Sequence, residues 1–355
     1  MPLGLREAWE PEVEKLAVKR TPESAFSFAP RGLAFLMLAV LLLISPALFA
    51  HGGGDDHAPL PRAEKAEKRI NPRADLWRRV REGEPGYSAV KGAEANVFIE
   101  DGGQLWRRLR NGPVATFGSG ALIGTFAALA AFFLWRGRLR LHAPRSGVRI
   151  RRWNPSDRTL HWVTALAFLW LALTGLLLLF GRAALIPYLG HENFSPLAQA
   201  AKLTHNYVGP FVFLPGLLLM IARWARHNLP TRVDVAWFKA FGGMIGDRHP
   251  SAGRINGGEK AWFWLLTLAG IAVCASGFLL DFPFLAPFRE TLQSAHLVHV
   301  TTALLLSAGA LGHIYIGSIG TEGALEGMTT GEVDETWARQ HHDLWLAELR
   351  EARKT

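Results

Sequence analysis

Residues 292–317 read LQSAHLVHVTTALLLSAGALGHIYIG, an apolar stretch long enough to cross a bilayer as a helix, and it carries His296, His299 and His313. At about 100° and 1.5 Å per residue, His299 and His313 lie on nearly the same helix face, about 21 Å apart along the axis. His296 lies on a different face. A titratable side chain inside hydrocarbon costs free energy, so such histidines indicate a functional site and require partners.

Two other apolar segments supply those partners. His161 opens the segment Thr159–Phe180, and His205 opens the segment His205–Trp224. Two imidazoles on facing helices can hold one haem iron from both sides through their Nε2 atoms, which gives an electron-transfer centre without an open coordination position. Four histidines at two depths therefore predict two stacked b-type haems. For each histidine taken singly, the alternative is an interfacial or buried ring that is hydrogen-bonded to the backbone.

The composition is typical of a multi-span membrane protein. Hydrophobic residues make up 49% of the chain and charged residues only 19%, and there are 13 tryptophans and 21 phenylalanines. The formal net charge of +9 reflects arginines clustered at the ends of apolar segments, which indicates membrane topology and not nucleic-acid binding. The single cysteine, Cys274, excludes a disulfide within the chain, a cysteine-held iron–sulfur cluster and a structural zinc site.

The N-terminal part is predicted to precede the haem domain as separate segments. Residues 1–50 contain an apolar run whose length fits either a cleaved signal peptide or an uncleaved signal anchor. Residues 51–112 are polar and rich in glycine and proline, and they cannot bury a core of their own. This arm is either a disordered linker or a segment that orders against a partner subunit outside the membrane. Residues 113–135 form one extra transmembrane helix.

Arginines set the orientation of the remaining segments. The linker 136–158 is dense in arginine, which places it on the cytoplasmic side. A four-helix domain follows in residues 159–320, and its connections are an outer loop at Gly181–Ala201, a basic inner loop at Ala225–Lys260 and a short outer turn at Asp281–Thr291. The tail 321–355 then lies in the cytoplasm. The whole chain is predicted to be an all-α membrane protein.

This topology pairs the histidines by depth. His161 and His313 lie near the cytoplasmic face, whereas His205 and His299 lie toward the outer face, so each pair can hold one haem. His296 is the competitor of His299 for the outer haem. The histidines in loops and in the tail are predicted to be solvated or to cap helices: His142, His191, His227, His249, His341 and His342.

Several motifs resemble the cytochrome b (gamma) subunit of membrane-bound respiratory formate dehydrogenases in its N-terminally extended form. The resemblance covers about Val148 to the C-terminus, and the arm from Gly86 to Pro113 looks like that of the longer members. The motifs are Arg151-Arg-Trp-Asn-Pro-Ser-Asp-Arg-Thr-Leu-His-Trp162, His205-Asn-Tyr-Val-Gly209, Ile255-Asn-Gly-Gly-Glu-Lys260, His299, His313-Ile-Tyr315, and His341-His342 with Asp343 and Trp345.

The resemblance implies roles for particular residues. The family's ligands match His161 and His313 for the cytoplasmic-side haem, and His205 and His299 for the outer haem. An Asn-x-Gly-Gln motif forms the family's menaquinone pocket, and the matching positions are Asn256, Gly258 and Glu259, with Glu259 in place of the glutamine. From the residues alone, this turn can also be a helix cap with Glu259 in the favourable first turn.

The resemblance also implies partners and a location. It implies a multi-pass subunit of the bacterial inner membrane, surrounded by lipid, with a molybdenum- or tungsten-containing catalytic subunit and an iron–sulfur subunit on the outer side. Electrons would pass through this chain to a quinone, either menaquinone or ubiquinone, and the chain itself has no formate-oxidising site. The alternatives are a cytochrome b subunit of a nickel–iron hydrogenase and a cofactor-free membrane anchor or transporter.

Overall fold

The computed structural model describes Arg78 and residues 102–354, apart from residues 247, 248 and 287. The predicted leader and almost all of the predicted arm lie outside the described residues. Within the described part, five helices are long and apolar enough to span a membrane. These are Gly103–Arg136, Pro155–Ala184, Ile186–Asn228, Gly257–Asp281 and Arg289–Gly320. The predicted all-α membrane fold, with four bundle helices and one extra N-terminal helix, is confirmed.

The extra helix begins earlier than predicted. It consists of α1 (Gly102–Leu109), a wider helical turn at Arg110–Val114, and α2 (Ala115–Arg136). Pro113 lies in the wider turn, where its missing N–H and its ring are accommodated without ending the helix. Residues 102–112 are therefore helical and continuous with the spanning segment, although the sequence pattern assigns them to the arm.

Four spanning helices form the bundle. They are α3 (Pro155–Ala184), the broken helix α4 (Ile186–Val208) and α5 (Leu214–Trp224) joined by a wider turn at Gly209–Phe213, then α7 (Gly257–Asp281) and α8 (Arg289–Tyr315). A short helix, α6 (Arg232–Lys239), lies in the connection between α5 and α7. The wider turn Ile316–Gly320 extends α8 at its C-terminal end.

The predicted outer loop Gly181–Ala201 is helical over nearly all of its length. The helix α3 continues to Ala184 and α4 starts at Ile186, with a bend at Gly190, whose φ of 73° is left-handed. Glycine adopts this conformation without a Cβ clash, so the chain can reverse between two helices within a few residues. The polar composition that indicated a loop instead belongs to an exposed helix end.

Two apolar clusters hold the helices together. The first lies inside the four-helix bundle, and the second packs α2 against α3 and α8. A Cβ on Gly118 of α2 would lie 2.3 Å from Leu304 Cδ1, so the glycine permits close approach to α8. The first cluster contains Ala167, Phe213, Leu217, Met220, Trp224, Phe263, Leu266, Ala269 and Leu306, and the second contains Ala115, Leu122, Leu176, Phe180 and Leu304.

The arginine-rich linker and the C-terminal tail fold together into a small unit, which we call the cap. Strand β1 (Arg149–Arg151) pairs antiparallel with β2 (Glu332–Asp334), with Ile150 opposite Val333. Three short helices complete the cap: α9 (Glu326–Thr329), α10 (Glu335–His341) and α11 (Asp343–Ala352). Its apolar core consists of Ile150, Val333, Trp337, Ala338, Trp345 and Leu346.

Candidate functional site

His205 and His299 face each other between α4 and α8. Their ring centroids are 6.1 Å apart. His205 Nδ1 lies 2.8 Å from Thr174 Oγ1, whose own hydroxyl lies 2.8 Å from the Trp170 carbonyl and donates to it, so the ring N–H is the donor to Thr174. His299 Nδ1 donates to the Val273 carbonyl at 2.9 Å. Because both Nδ1 atoms are donors, both Nε2 atoms keep a lone pair for a metal.

His161 and His313 form the second pair, between α3 and α8. Their ring centroids are 6.3 Å apart. The His313 ring stacks on Trp262 of α7 at 5.0 Å and an interplanar angle of 13°. Trp262 occupies space that a side chain at Gly309 would fill, since a Cβ there would lie 2.9 Å from Trp262 Cζ3. His161 Nδ1 is buried and has no hydrogen-bond partner within the described residues.

The structure brings together the pairs that the topology predicted. His299, and not His296, lies opposite His205. The His296 ring instead faces α1, where Trp106 Nε1 donates to His296 Nδ1 at 3.4 Å and the two rings meet edge to face. His296 and His299 point from different faces of α8, and they therefore contact different helices: His296 contacts α1, and His299 contacts His205 on α4.

Each pair has the spacing and donor atoms that a haem iron requires. Metal–imidazole bonds are about 2 Å long, so two facing rings with centroids 6.1 or 6.3 Å apart can bind one metal atom between them. Glycines lie beside both outer rings: a Cβ on Gly277 would be 3.0 Å from His299 Cε1, and a Cβ on Gly175 would be 3.4 Å from His205 Cε1. The residues fit a bis-histidine haem at each level.

The N-terminus of α7 holds the residues that the resemblance assigns to a quinone. Asn256 Oδ1 accepts from Glu259 N at 3.0 Å, and Glu259 Oε2 accepts from Asn256 N at 2.9 Å, which is a reciprocal capping box. Gly258 lies under Trp237 of α6, because a Cβ there would be 2.7 Å from Trp237 Cη2. The helix-capping role that the sequence left open is present, and the Asn256 side-chain amide nitrogen remains a possible donor.

Arg152, which the sequence alone did not single out, joins this turn from β1's C-terminal side. Its side chain is only 4% exposed, and its Nη2 donates to Glu259 Oε1 at 2.8 Å and to the Arg254 carbonyl at 3.0 Å. The guanidinium carbon lies 4.9 Å from the Trp337 ring centre and 5.7 Å from that of Trp153. The sequence feature that could have pointed to Arg152 is the pair Arg151-Arg152 directly before Trp153.

His342 completes the cluster: it lies at the cap position between α10 and α11, as one of the two predicted alternatives has it, but it is not solvated. It is 1% exposed, its Nδ1 donates to the Gly253 carbonyl at 2.7 Å, and its Nε2 lies 3.1 Å from Arg152 Nη2. Burial, followed by the charge of Arg152, lowers the pKa of His342 to about 4. The ring is therefore neutral near pH 7, with the proton on Nδ1.

The other peripheral histidines have mixed outcomes. His142 and His191 are exposed, as predicted. His341 is partly buried against Trp337, and His249 packs against it with ring centroids 4.7 Å apart, so the solvated assignment is wrong for these two. Burial lowers the pKa of His341 to about 2. The cause of both errors is the folding of the tail, which buries residues that a free tail would expose.

We expect the cap to lose stability as the pH falls from about 6.5 toward 4. In the unfolded cap His342 has an ordinary pKa of 6.5, whereas the folded pKa is about 4, so below pH 6.5 the unfolded cap binds more protons. The stabilising contribution is complete above about pH 6.5 and amounts to about 3 kcal/mol. The lowered pKa of His341 acts in the same direction.

Amide hydrogen exchange of β2 and α10, corrected for the intrinsic rate, measures this effect between about pH 7 and pH 5. His342→Gln removes one of the two titrating rings and should flatten the pH dependence. Equal protection of the cap at both pH values in the unmodified protein would contradict the expectation.

The sequence is similar to one known protein family and to several known proteins. The sequence profile of the prokaryotic cytochrome b561 family matches residues 152–331, which include the four paired histidines and the capping turn of α7. The nitrate-inducible formate dehydrogenase cytochrome b556(Fdn) subunit of Escherichia coli K12 is 26% identical over 201 residues, covering 55% of this chain and 89% of the relative. The extra N-terminal helix and His342 lie outside the matched family range.

Two further relatives are also cytochrome b556 subunits of formate dehydrogenases. The formate dehydrogenase cytochrome b556(fdo) subunit of Escherichia coli K12 is 29% identical over 204 residues, which are 57% of this chain and 93% of the relative. The formate dehydrogenase cytochrome b556 subunit of Haemophilus influenzae is 30% identical over 206 residues, which are 56% of this chain and 83% of the relative.

Proposed function

Since this chain belongs to the prokaryotic cytochrome b561 family, among the cytochrome b subunits of formate dehydrogenases, we propose that it carries electrons through two b haems to a quinone. The chain is a multi-pass b-type cytochrome of the inner membrane. The observation that supports two haems is that four histidines form two facing pairs, with centroids 6.1 and 6.3 Å apart, at two levels of α8. Bound haem supplies one-electron chemistry, and the chain supplies axial nitrogens and a low-dielectric interior.

In this proposal His205 and His299 bind the outer haem, and His161 and His313 bind the inner one. The two α8 ligands are about 21 Å apart along the helix. Thr174 and Val273 hold the outer imidazoles in the tautomer that presents Nε2, and Trp262 fixes the plane of His313. Electrons enter at the outer pair and leave at the inner pair.

The quinone site is proposed at the N-terminus of α7, with Asn256, Gly258 and Glu259 as its residues. One contact supports a site close to the inner pair: Trp262, one helical turn beyond Glu259, stacks on the His313 ring. Because Asn256 Oδ1 is used in the capping box, its amide nitrogen is the group that can donate to a quinone carbonyl.

We also infer the partners from the relatives. A molybdenum- or tungsten-containing catalytic subunit would oxidise formate on the outer side, and an iron–sulfur subunit would pass its electrons to the outer haem. If the quinone takes its protons from the cytoplasm, turnover separates charge across the membrane. Menaquinone and ubiquinone both have carbonyl groups that Asn256 can bind.

The optical spectrum of the isolated complex tests this proposal. We expect a b-type α-band after dithionite reduction, two haems per chain, and reduction of both haems by formate. Reduction by hydrogen and not by formate would indicate the nickel–iron hydrogenase subunit instead. A preparation with no α-band would leave a cofactor-free anchor or transporter.

Thr174→Val should change the outer haem without removing it. Valine has the same shape but cannot accept the hydrogen bond from His205 Nδ1, so the imidazole donates less electron density to the iron. We expect the midpoint potential of one haem to rise and its binding to weaken roughly 10-fold or more, as measured by redox titration and haem retention. Thr267→Val is the matched control, because that buried hydroxyl donates to Phe263 O at 2.8 Å. The same shift in both variants would contradict a role in ligation.

Deleting residues 90–101 should release the partner subunits from membranes and leave both haems in place. This segment carries Val97, Phe98 and Ile99, which are three of the apolar and aromatic residues by which the predicted arm could contact a partner, and it ends before α1. The control removes an equal length, residues 58–69, which contains no aromatic side chain. Immunoblots of washed membranes measure retention. Unchanged retention in the first deletion would favour the disordered-linker alternative.

A further inference from the structure

One nitrogen of Arg152 connects the cap to the turn that begins α7. Arg152 Nη2 lies 2.8 Å from Glu259 Oε1 and 3.1 Å from Glu259 Oε2. The same atom lies 3.1 Å from His342 Nε2 and 3.0 Å from the Arg254 carbonyl oxygen, so its two N–H groups are shared among Glu259, Arg254 and His342. With the guanidinium over two tryptophan rings and nearly removed from solvent, its plane has little freedom to rotate. The position of the Glu259 carboxylate therefore depends on the contacts that hold the Arg152 guanidinium in place.

His342 has one protonation form that fits this position. Nδ1 donates to the Gly253 carbonyl at 2.7 Å, which leaves Nε2 as a lone-pair acceptor facing Arg152. A protonated ring, or the neutral tautomer with its proton on Nε2, would place an N–H against the donor Nη2. The Trp337 ring, 4.9 Å from the His342 ring, packs on it from the side and limits any other orientation. His342 is therefore an acceptor of fixed direction for Arg152.

We propose that His342 is a positioning residue for quinone reduction, acting through Arg152 on Glu259 and Asn256 at the N-terminus of α7. This inference rests on the proposed quinone site. Glu259 Oε2 accepts from the Asn256 backbone N–H at 2.9 Å, so a displaced carboxylate would shift the residue whose amide nitrogen faces the quinone. His342, which lies outside the matched family range and 190 residues from Arg152 in sequence, thus controls the site.

Three variants of His342 in the complete membrane complex separate positioning from packing. His342→Gln can keep a carbonyl acceptor toward Arg152, His342→Asn can keep the donor toward Gly253, and His342→Phe keeps the ring volume without either bond. We expect the KM for a water-soluble short-chain quinone to rise about tenfold in the Asn and Phe variants, and to stay within about twofold in the Gln variant. Haem reduction by formate should be unchanged in all three.

A double variant tests the path through Glu259. If His342 acts on the quinone through this carboxylate, His342→Phe should add no further increase in KM to Glu259→Ala. Asp343→Asn is the matched control for the cap, because Asp343 ties the tail to the same loop through Ser251 and Ala252 without contacting Arg152. This control should leave the KM unchanged.

Distinct results would overturn the inference. A wild-type KM in His342→Phe, an equal rise in the Gln and Asn variants, or additive effects with Glu259→Ala would each show that His342 only supports the cap. If Glu259→Ala and Asn256→Ala themselves have wild-type quinone kinetics, the quinone site is wrong and the inference fails with it. Slowed quinone kinetics in those two variants, with no effect at His342, would overturn the inference alone.

Discussion

His299→Ala should remove the outer haem and stop reduction of the inner haem by formate. In this variant His205 would be the single axial ligand, because His299 is the ring that faces it across the proposed haem site. Loss of an axial ligand should exceed the roughly 10- to 100-fold effect of losing a supporting hydrogen bond. Dithionite should still reduce the remaining haem, and haem content should fall from two to one per chain.

His296→Ala is the matched control on the same helix. Its ring contacts Trp106 of α1 and not His205, so both haems should remain and formate should reduce them. His161→Ala tests the direction of electron transfer, since loss of the inner haem should leave reduction of the outer haem by formate intact. Two haems in His299→Ala together with one in His296→Ala would contradict the ligand assignment.

Asn256→Ala and Glu259→Ala should slow oxidation of both haems by quinone and leave their reduction by formate unaffected. Each variant removes a polar side chain from the proposed acceptor site, and we expect reoxidation to slow by roughly 10- to 100-fold. Glu259→Gln restores the glutamine that the resembled family has at this position, so it should retain faster reoxidation than Glu259→Ala. Stopped-flow absorbance of the haem α-band after a quinone pulse measures the rate.

Asn154→Ala is the control for loss of a helix cap. Asn154 Oδ1 accepts from Asp157 N at 2.7 Å at the start of α3, so it is a second asparagine N-cap on a spanning helix. Both caps should contribute about 1 kcal/mol to helix stability. Normal reoxidation in Asn256→Ala and Glu259→Ala, or equal slowing in Asn154→Ala, would move the quinone elsewhere.

The sequence by itself determined the number of spanning helices and the partners of the histidines. Hydrocarbon excludes polar backbone and most polar side chains, so long apolar stretches specify helices with little dependence on their neighbours. Histidine depth follows from rise per residue and from the arginines at segment ends. For this reason His205 with His299, and His161 with His313, could be paired before any coordinates were known.

Other features depended on the tertiary structure. The strands β1 and β2 have three residues each, too few for a periodic pattern, and their partners come from opposite ends of the domain. The polar stretch around Gly190 is compatible with both a loop and a helix, and only the packing of α3 and α4 distinguishes them.

The polar cluster of Arg152, Glu259 and His342 shows the physical reason most clearly. Arg152 and His342 are buried although neither carries a local signal of burial, and the two lie 190 positions apart in the sequence. Their burial is possible only because the side chains of the cluster satisfy one another once the cap has folded. Membrane segments are specified by their solvent and can be recognised locally, whereas this polar cluster is specified by contacts that exist only in the folded chain.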